Sequence, residues 1–211
     1  MMALSRMLFR LAYGSFPKSG YRLTNLIEES YHNNLQQIGN LDRLFKLDLK
    51  DSLRIIPIPL ILSTVKPLVG DGPIYKLIES FLSLPIIDDN GNDRSSISMG
   101  GMPVSGEISR LLFNIVLLDI FDQKFRKWFP GIAFCRFHYD VFILTRGSVI
   151  FDEKAGYALI EEVGLAGEIA SIGRCDYPIP SISLDKYIYL DNEGKVHIFS
   201  PEECFNLFHG N

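Results

Sequence analysis

The sequence predicts an α+β fold in which antiparallel sheet packs on helices. Three observations carry that prediction. First, residues 132–137 and 141–144 are apolar runs joined by a short polar turn, which reads as a β-hairpin. Second, 186–191 and 195–199 form another such pair, with Asn192-Glu193-Gly194 as the turn. Third, Ile108, Leu111, Leu112, Ile115, Leu118 and Phe125 recur at the 3.6-residue period of an amphipathic helix. Locally joined strands mixed with packed helices belong to the α+β class.

The elements follow in order. Residues 23–38 read as a helix, with Thr24 as N-cap, Glu28 and Glu29 in its early turns and Gly39 as its stop. A strand covers 44–49. Pro57 and Pro59 mark the turn into a helix over 60–65. A further helix runs from Pro73, well placed for a first turn, to Leu82. Residues 88–93 (Asp-Asp-Asn-Gly-Asn-Asp) read as a turn between two strands. The glycine-rich loop 99–106 leads into a long helix that ends near Trp128. Then come the hairpin at 132–144, with Asp140 at its tip, a helix over 153–163 and the last strand pair. There is no internal repeat and no low-complexity tract.

The chain has 211 residues, 47% hydrophobic and 22% charged, which suffices for a sizeable core. No apolar run reaches the roughly 18–20 residues that span a bilayer. Residues 53–69 come nearest, broken by Arg54, Pro57, Pro59, Lys66 and Pro67. Cys135, Cys175 and Cys204 are far apart and odd in number, which argues against a disulfide framework or a zinc site and for a reducing compartment. The net charge of −4 lacks the basic excess with which nucleic-acid binders neutralise phosphates. An RNA contact would then depend on a local basic face, for which Lys46, Lys50, Arg54, Arg126 and Lys127 are the candidates. Residues 1–22 carry Arg6, Arg10, Lys18 and Arg22, with no acid until Glu28. Leu4, Met7, Leu8 and Leu11 can share one helical face, so this segment reads either as a mitochondrial targeting sequence or as an ordinary first helix.

The chemistry-bearing residues are carboxylates at strand ends. Phe45-Lys46-Leu47-Asp48 is a strand that closes on an acid, and Asp140 lies on a tight hairpin. Two-metal phosphoryl transfer needs carboxylates from separate strands to converge on two divalent ions about 3.5–4 Å apart. Asp48 and Asp140 can meet at one end of a sheet if their strands are neighbours. Each also has a plainer reading. Asp48 can cap a turn, and Asp140 can make an Asx-type bond. Asp51 reads as solvent-facing, His138 as a packing residue, and Asp119 and Asp122 as the wet face of the long helix.

Taken together, these residues resemble the palm of a reverse transcriptase of the group II intron and organellar type. The resemblance covers about residues 14–199. Phe45-Lys46-Leu47-Asp48-Leu49-Lys50 resembles the family's first catalytic strand, in which the Asp is a metal ligand. Gly101-Met102-Pro103-Val104-Ser105-Gly106-Glu107-Ile108-Ser109-Arg110-Leu111-Leu112-Phe113-Asn114-Ile115 is similar to G-[IM]-P-Q-G-S-P-[IL]-S-P-L-L-F-N-I. Residues 136–144, Arg-Phe-His-Tyr-Asp-Val-Phe-Ile-Leu, are similar to R-Y-A-D-D-F-x-I-L on the catalytic hairpin. Lys186-Tyr187-Ile188-Tyr189-Leu190 with Gly194 resembles the later strand pair near the primer. The resemblance implies a polymerase-type palm over 23–211, without fingers and thumb. It implies Asp48 and Asp140 as the remaining catalytic acids and ligands of Mg²⁺ in an active enzyme, with no cofactor otherwise. It implies Leu53, Gly101, Pro103, Ser105 and Gly106 as nucleotide or substrate contacts.

The departures from the family pattern fall on the chemistry. Tyr139-Asp140, or Asp140-Val141 in the other register, stands where the family has paired aspartates. Val104 stands for Gln, Ser105-Gly106 for Gly-Ser, Glu107 and Arg110 for Pro, and Leu53 for an aromatic that senses the sugar. Loss of a ligand oxygen from a magnesium site removes much of the charge stabilisation the reaction needs. The expectation is therefore a catalytically impaired palm protein, an RNA-associated or scaffold component of an organellar ribonucleoprotein or ribosome. Phe205, Leu207 and Phe208 are its candidate protein contacts. The alternatives are an active RNA-directed DNA polymerase or maturase fragment, and a decayed reading frame.

Overall fold

The computed structural model describes residues 40–85, 87, 90–91, 101–102, 107–147, 151–174, 176–181 and 185–209. The expected helix at 23–38, the 1–22 segment and most of the 88–93 turn lie outside them. The α+β class holds, with helices and two antiparallel sheets. The described residues divide into two compact units: one within 49–128 and 159–167, the other within 40–48, 129–158 and 168–209.

The second unit holds both sheets. Strand β1 (Arg43–Asp48) lies inside a four-stranded sheet of order β2-β3-β1-β4, with β2 Ala133–Phe137, β3 Asp140–Thr145 and β4 Glu168–Gly173. Strands β5 (Ile179–Ser181), β6 (Lys186–Leu190) and β7 (Val196–Phe199) form a second sheet in that order. The central strands β1 and β3 are buried on both faces, so their sequences are almost unbroken apolar runs rather than alternating ones. One face packs Leu44, Phe142, Leu144 and Ile172 against Ile188, Leu190 and Val196 of the second sheet. On the other face Phe45 meets Phe151 edge-on at 5.1 Å, and Phe151 meets Phe129 in the same way.

The hairpin differs from expectation at its tip. The two turn residues are His138 and Tyr139, and Asp140 is the first residue of β3, paired with Phe137. His138 takes the left-handed conformation (φ 52°), and its carbonyl accepts a hydrogen bond from Arg136 at 3.2 Å. A two-residue turn of this kind keeps both flanking positions in the ladder, which draws Asp140 off the tip into the sheet.

The first unit is helical: α1 Ser52–Ile55, α2 Ile58–Val69, α3 Pro73–Leu82, α4 Glu107–Leu117 and α5 Gln123–Trp128. Helix α2 outruns the expected 60–65 because Pro59 falls in the first turn, where no N–H is required, and Pro67 near the end, where few bonds remain to lose. The expected long helix is interrupted by a π-helical turn over Leu118–Asp122. Phe113, Leu117, Phe121 and Phe125 lie four apart and are all buried. In an α-helix such a row drifts by roughly 40° per step, and the wider turn takes part of that drift back. The altered phase also corrects the reading of the wet face: Asp119 is exposed, but Asp122 is buried at 5% exposure.

Helix α6 (Glu153–Glu162) begins where expected, with the Asp152 carboxylate accepting from the Ala155 amide at 2.7 Å. Strand β4 and helix α7 (Pro201–His209) were not expected from sequence. The signal for α7 was present, since Ser200 and Glu203 form a reciprocal capping box with bonds of 2.7 and 3.2 Å.

The β6–β7 turn is locked from several sides. The Asp191 carboxylate accepts from the amides of Glu193 and Lys195 and pairs with His197 Nε2 at 2.7 Å. Gly194 (φ 73°) carries no side chain because a Cβ there would stand 2.5 Å from the N and O atoms of Leu41. Gly194→Ala should cost about 2–4 kcal/mol, from the left-handed backbone and the overlap together. Gly164→Ala at the end of α6 has a comparable left-handed backbone penalty (φ 68°) and open space around it, so it should cost about half as much. Thermal melts of the two variants check the contrast.

His197, then the Lys195 and Glu193 amides, hold the Asp191 carboxyl below the ordinary carboxylate range. A depressed carboxyl stabilises the fold above its unfolded value, near pH 4, and that contribution is lost as pH falls through the folded value. His197→Ala should raise the Asp191 pKa toward the ordinary value, read by carboxyl-carbon NMR titration.

Candidate functional site

The antiparallel ladders of the second unit set the site. β1 pairs with β3 so that Asp48 lies directly opposite Asp140, and with β4 so that Asp48 also lies opposite Glu168. Partners opposite one another share a face, with Cβ atoms about 4.5–5.5 Å apart. Three rows therefore cross one face of the sheet. Leu144, Leu44 and Ile172 form an apolar row, Phe142, Lys46 and Ala170 the next, and Asp140, Asp48 and Glu168 an acidic one.

Lys46 stands between the apolar and the acidic rows. Its Nζ is 3.3 Å from Asp140 Oδ1 and 3.8 Å from Asp48 Oδ2, and it donates to the Pro180 carbonyl at 2.9 Å. The Asp140 contact is an ion pair outside hydrogen-bond alignment. The side chains of Lys46, Asp48 and Asp140 are 9%, 22% and 0% exposed, so the cluster opens to solvent only on the Asp48 side. Two carboxylates directly opposed repel each other, and a buried one is costly without a partner. The ammonium answers both problems, while its aliphatic stem stays with the apolar row. Lys46 is thus withdrawn from the candidate phosphate-binding face, which leaves Arg54, Arg126 and Lys127 exposed and Lys50 half-buried.

The resemblance implies magnesium at Asp48 and Asp140, and the residues present do not fit it. Mg²⁺ demands near-octahedral oxygen ligands at about 2.0–2.1 Å and keeps several of its waters. Here the Lys46 ammonium already lies against both carboxylates, and the Asp140 side chain has no solvent-facing surface for a water. Among the described residues, no three His, Cys, Asp or Glu side chains come together as a metal would require.

The first unit brings together two other candidates. The Met102 amide donates to the Leu53 carbonyl at 2.8 Å, and a Cβ on Gly101 would overlap the backbone of Leu53 and Arg54. Gly101 is a glycine because two backbones touch there. The Leu53 side chain is fully buried in α1 and faces no open space. Ser52 beside it bonds both the amide and the carbonyl of Ala166. Pro103, Ser105 and Gly106 lie outside the described residues. Asp51 is exposed, and His138 is a half-buried turn residue.

Sequence reasoning missed the role of Lys46, the Pro180 carbonyl and the place of Glu168. The i, i+2 spacing of Lys46 and Asp48 was a usable signal for one shared face. The other two required the strand pairing.

No family model matches the chain. The chain is similar to a Zea mays protein described as the uncharacterized 39 kDa protein in mitochondrial S-1 and S-2 DNA, at 29% identity over 170 residues. That match covers 80% of this chain and 50% of the relative, so the chain spans about half the length of the relative it matches. Among the described residues, no helix is long and apolar enough to cross a membrane.

Lys46→Met should destabilise the fold by about 3–5 kcal/mol, the usual cost of orphaning one member of a buried ion pair. Converting Lys46 to Met and Asp140 to Leu together removes both charges and should recover most of that loss. Urea titrations of the single and double variants check this. Equal losses in the two would show that the ion pair is not what the single change breaks.

Proposed function

We propose that this chain is a reverse-transcriptase-like palm protein without polymerase chemistry. In this reading it serves as an RNA-associated or scaffold component of a mitochondrial ribonucleoprotein or ribosome. The observation that carries the reading is the Asp48–Asp140 register, which sets two carboxylates of neighbouring strands side by side at one end of an antiparallel sheet. That placement is what the resemblance implies for an ancestral metal site. The Lys46 ammonium lies in the same place, and the paired aspartates of the family pattern are reduced to one. Polymerase chemistry needs a divalent ion to activate the attacking oxygen and stabilise the transferring phosphate.

The match to a protein whose description places it in mitochondrial DNA supports a mitochondrial setting. Phe205 and Leu207 on α7 are each 63% exposed, which suits a protein contact. Arg54, Arg126 and Lys127 are exposed cations on the first unit, which suits a contact with phosphates.

Primer extension with Mg²⁺ or Mn²⁺ is expected to give no template-dependent product above that of Asp140→Asn. Synthesis by the wild type that disappears in Asp140→Asn would overturn the non-catalytic reading. In mitochondrial gradients the tagged chain should sediment with a large assembly, and RNase treatment should shift it. A chain that runs as a free monomer in both conditions would sink the assembly role.

A further inference from the structure

We propose that the Lys46 ammonium is the resident cation of the Asp48–Asp140 site, that it shuts divalent metals out, and that its removal turns the site into a divalent-cation site. The proposal deepens the reading above and rests on it for the identity of the displaced ion.

Charge is the first support. Two carboxylates and one ammonium leave a single net negative charge, partly exposed through Asp48. A divalent ion bound to the same carboxylates would have to expel the ammonium, whose alternatives are poor. Its side chain is 9% exposed, and the Pro180 carbonyl already fixes its head at 2.9 Å. Expulsion would therefore bury an uncompensated positive charge or tear the stem out of the Phe142 row.

Tethering is the second support. Lys46 and Asp48 share a strand and a face, so the ammonium is present at a high effective concentration that no free ion matches. Its dehydration is already complete in the folded chain, whereas magnesium gives up its waters reluctantly. With the ammonium gone, the same oxygen atoms are left to a hard cation. Two carboxylates lie across one ladder position, and the Pro180 carbonyl is freed. One or two carboxylates with waters are enough to hold magnesium or manganese.

The test reads Mn²⁺ binding without primer, template or partner. Its failure leaves the assembly role untouched, and a failed assembly role leaves the metal result untouched. Paramagnetic broadening of backbone amide resonances is followed as Mn²⁺ is added to the wild type, to Lys46→Met and to Lys46→Met with Asp140→Asn. The wild type is expected to show no selective broadening at Asp48 and Asp140. Lys46→Met is expected to show it, together with a Tm that climbs with the logarithm of Mn²⁺ concentration, as a folded-state ligand requires. The second carboxylate change should abolish both effects. If Lys46→Met does not fold, Lys46→Gln, which keeps a donor for Pro180, takes its place. Selective broadening at Asp48 and Asp140 in the wild type overturns the proposal. So does a folded Lys46 variant that Mn²⁺ neither broadens there nor stabilises.

Discussion

Lys46, Asp48 and Asp140 bring three charges to one end of an antiparallel sheet, and most of that sheet is arranged so that they can remain there. Asp140 is wholly buried and directly opposes Asp48. Like charges in that position repel, so the sheet needs a cation within a few ångströms. The ammonium arrives from the same strand, two residues before Asp48. Its stem lies beside Phe142, and its head reaches the Pro180 carbonyl on the neighbouring sheet. A shift of one residue in either ladder would send Asp140 or Asp48 to the opposite face and leave Lys46 without its partners. Register and charge balance are therefore one constraint.

That constraint also bears on function. A catalytic metal site is an open position with ligands waiting. A buried ammonium between two carboxylates is a closed one, in which the charge that chemistry would place on a metal belongs to the chain. The same strands and the same acids can support either arrangement. The difference lies in whether an ammonium already lies against the two carboxylates, as Lys46 does here.

Close backbone approaches set the loops in each unit separately. In the second unit Gly194 lies against Leu41, where Arg174 also bonds the Leu41 carbonyl at 2.8 Å. In the first unit Gly101 lies against Leu53 and Arg54. In sequence Gly194 reads as a turn former, and Gly101 as part of a glycine-rich loop that the resemblance assigns to nucleotide contact. Only the folded chain shows that each is needed because another strand of backbone occupies the space of its side chain.

The sequence by itself determined the class of fold, both hairpins, the helices at Pro73 and Glu153, and the pairing of Asp48 with Asp140 as the residues to watch. These follow from local physics: apolar periodicity, turn residues, caps, and acids at strand ends. Tertiary structure alone decided the rest. Strand β4 was silent because Glu168-Ile169-Ala170-Ser171 is a weak alternation that becomes a strand only when β1 offers it a ladder. Asp122 moved from the wet face to the interior because it closes a π turn that changes the phase of the helix. Asp140 left the hairpin tip because a two-residue turn keeps its neighbours paired. Lys46 read as a surface cation because a lysine usually is one. Its burial depends on partners from two other strands, far away in sequence, and such long-range electrostatic pairing leaves no local pattern to read.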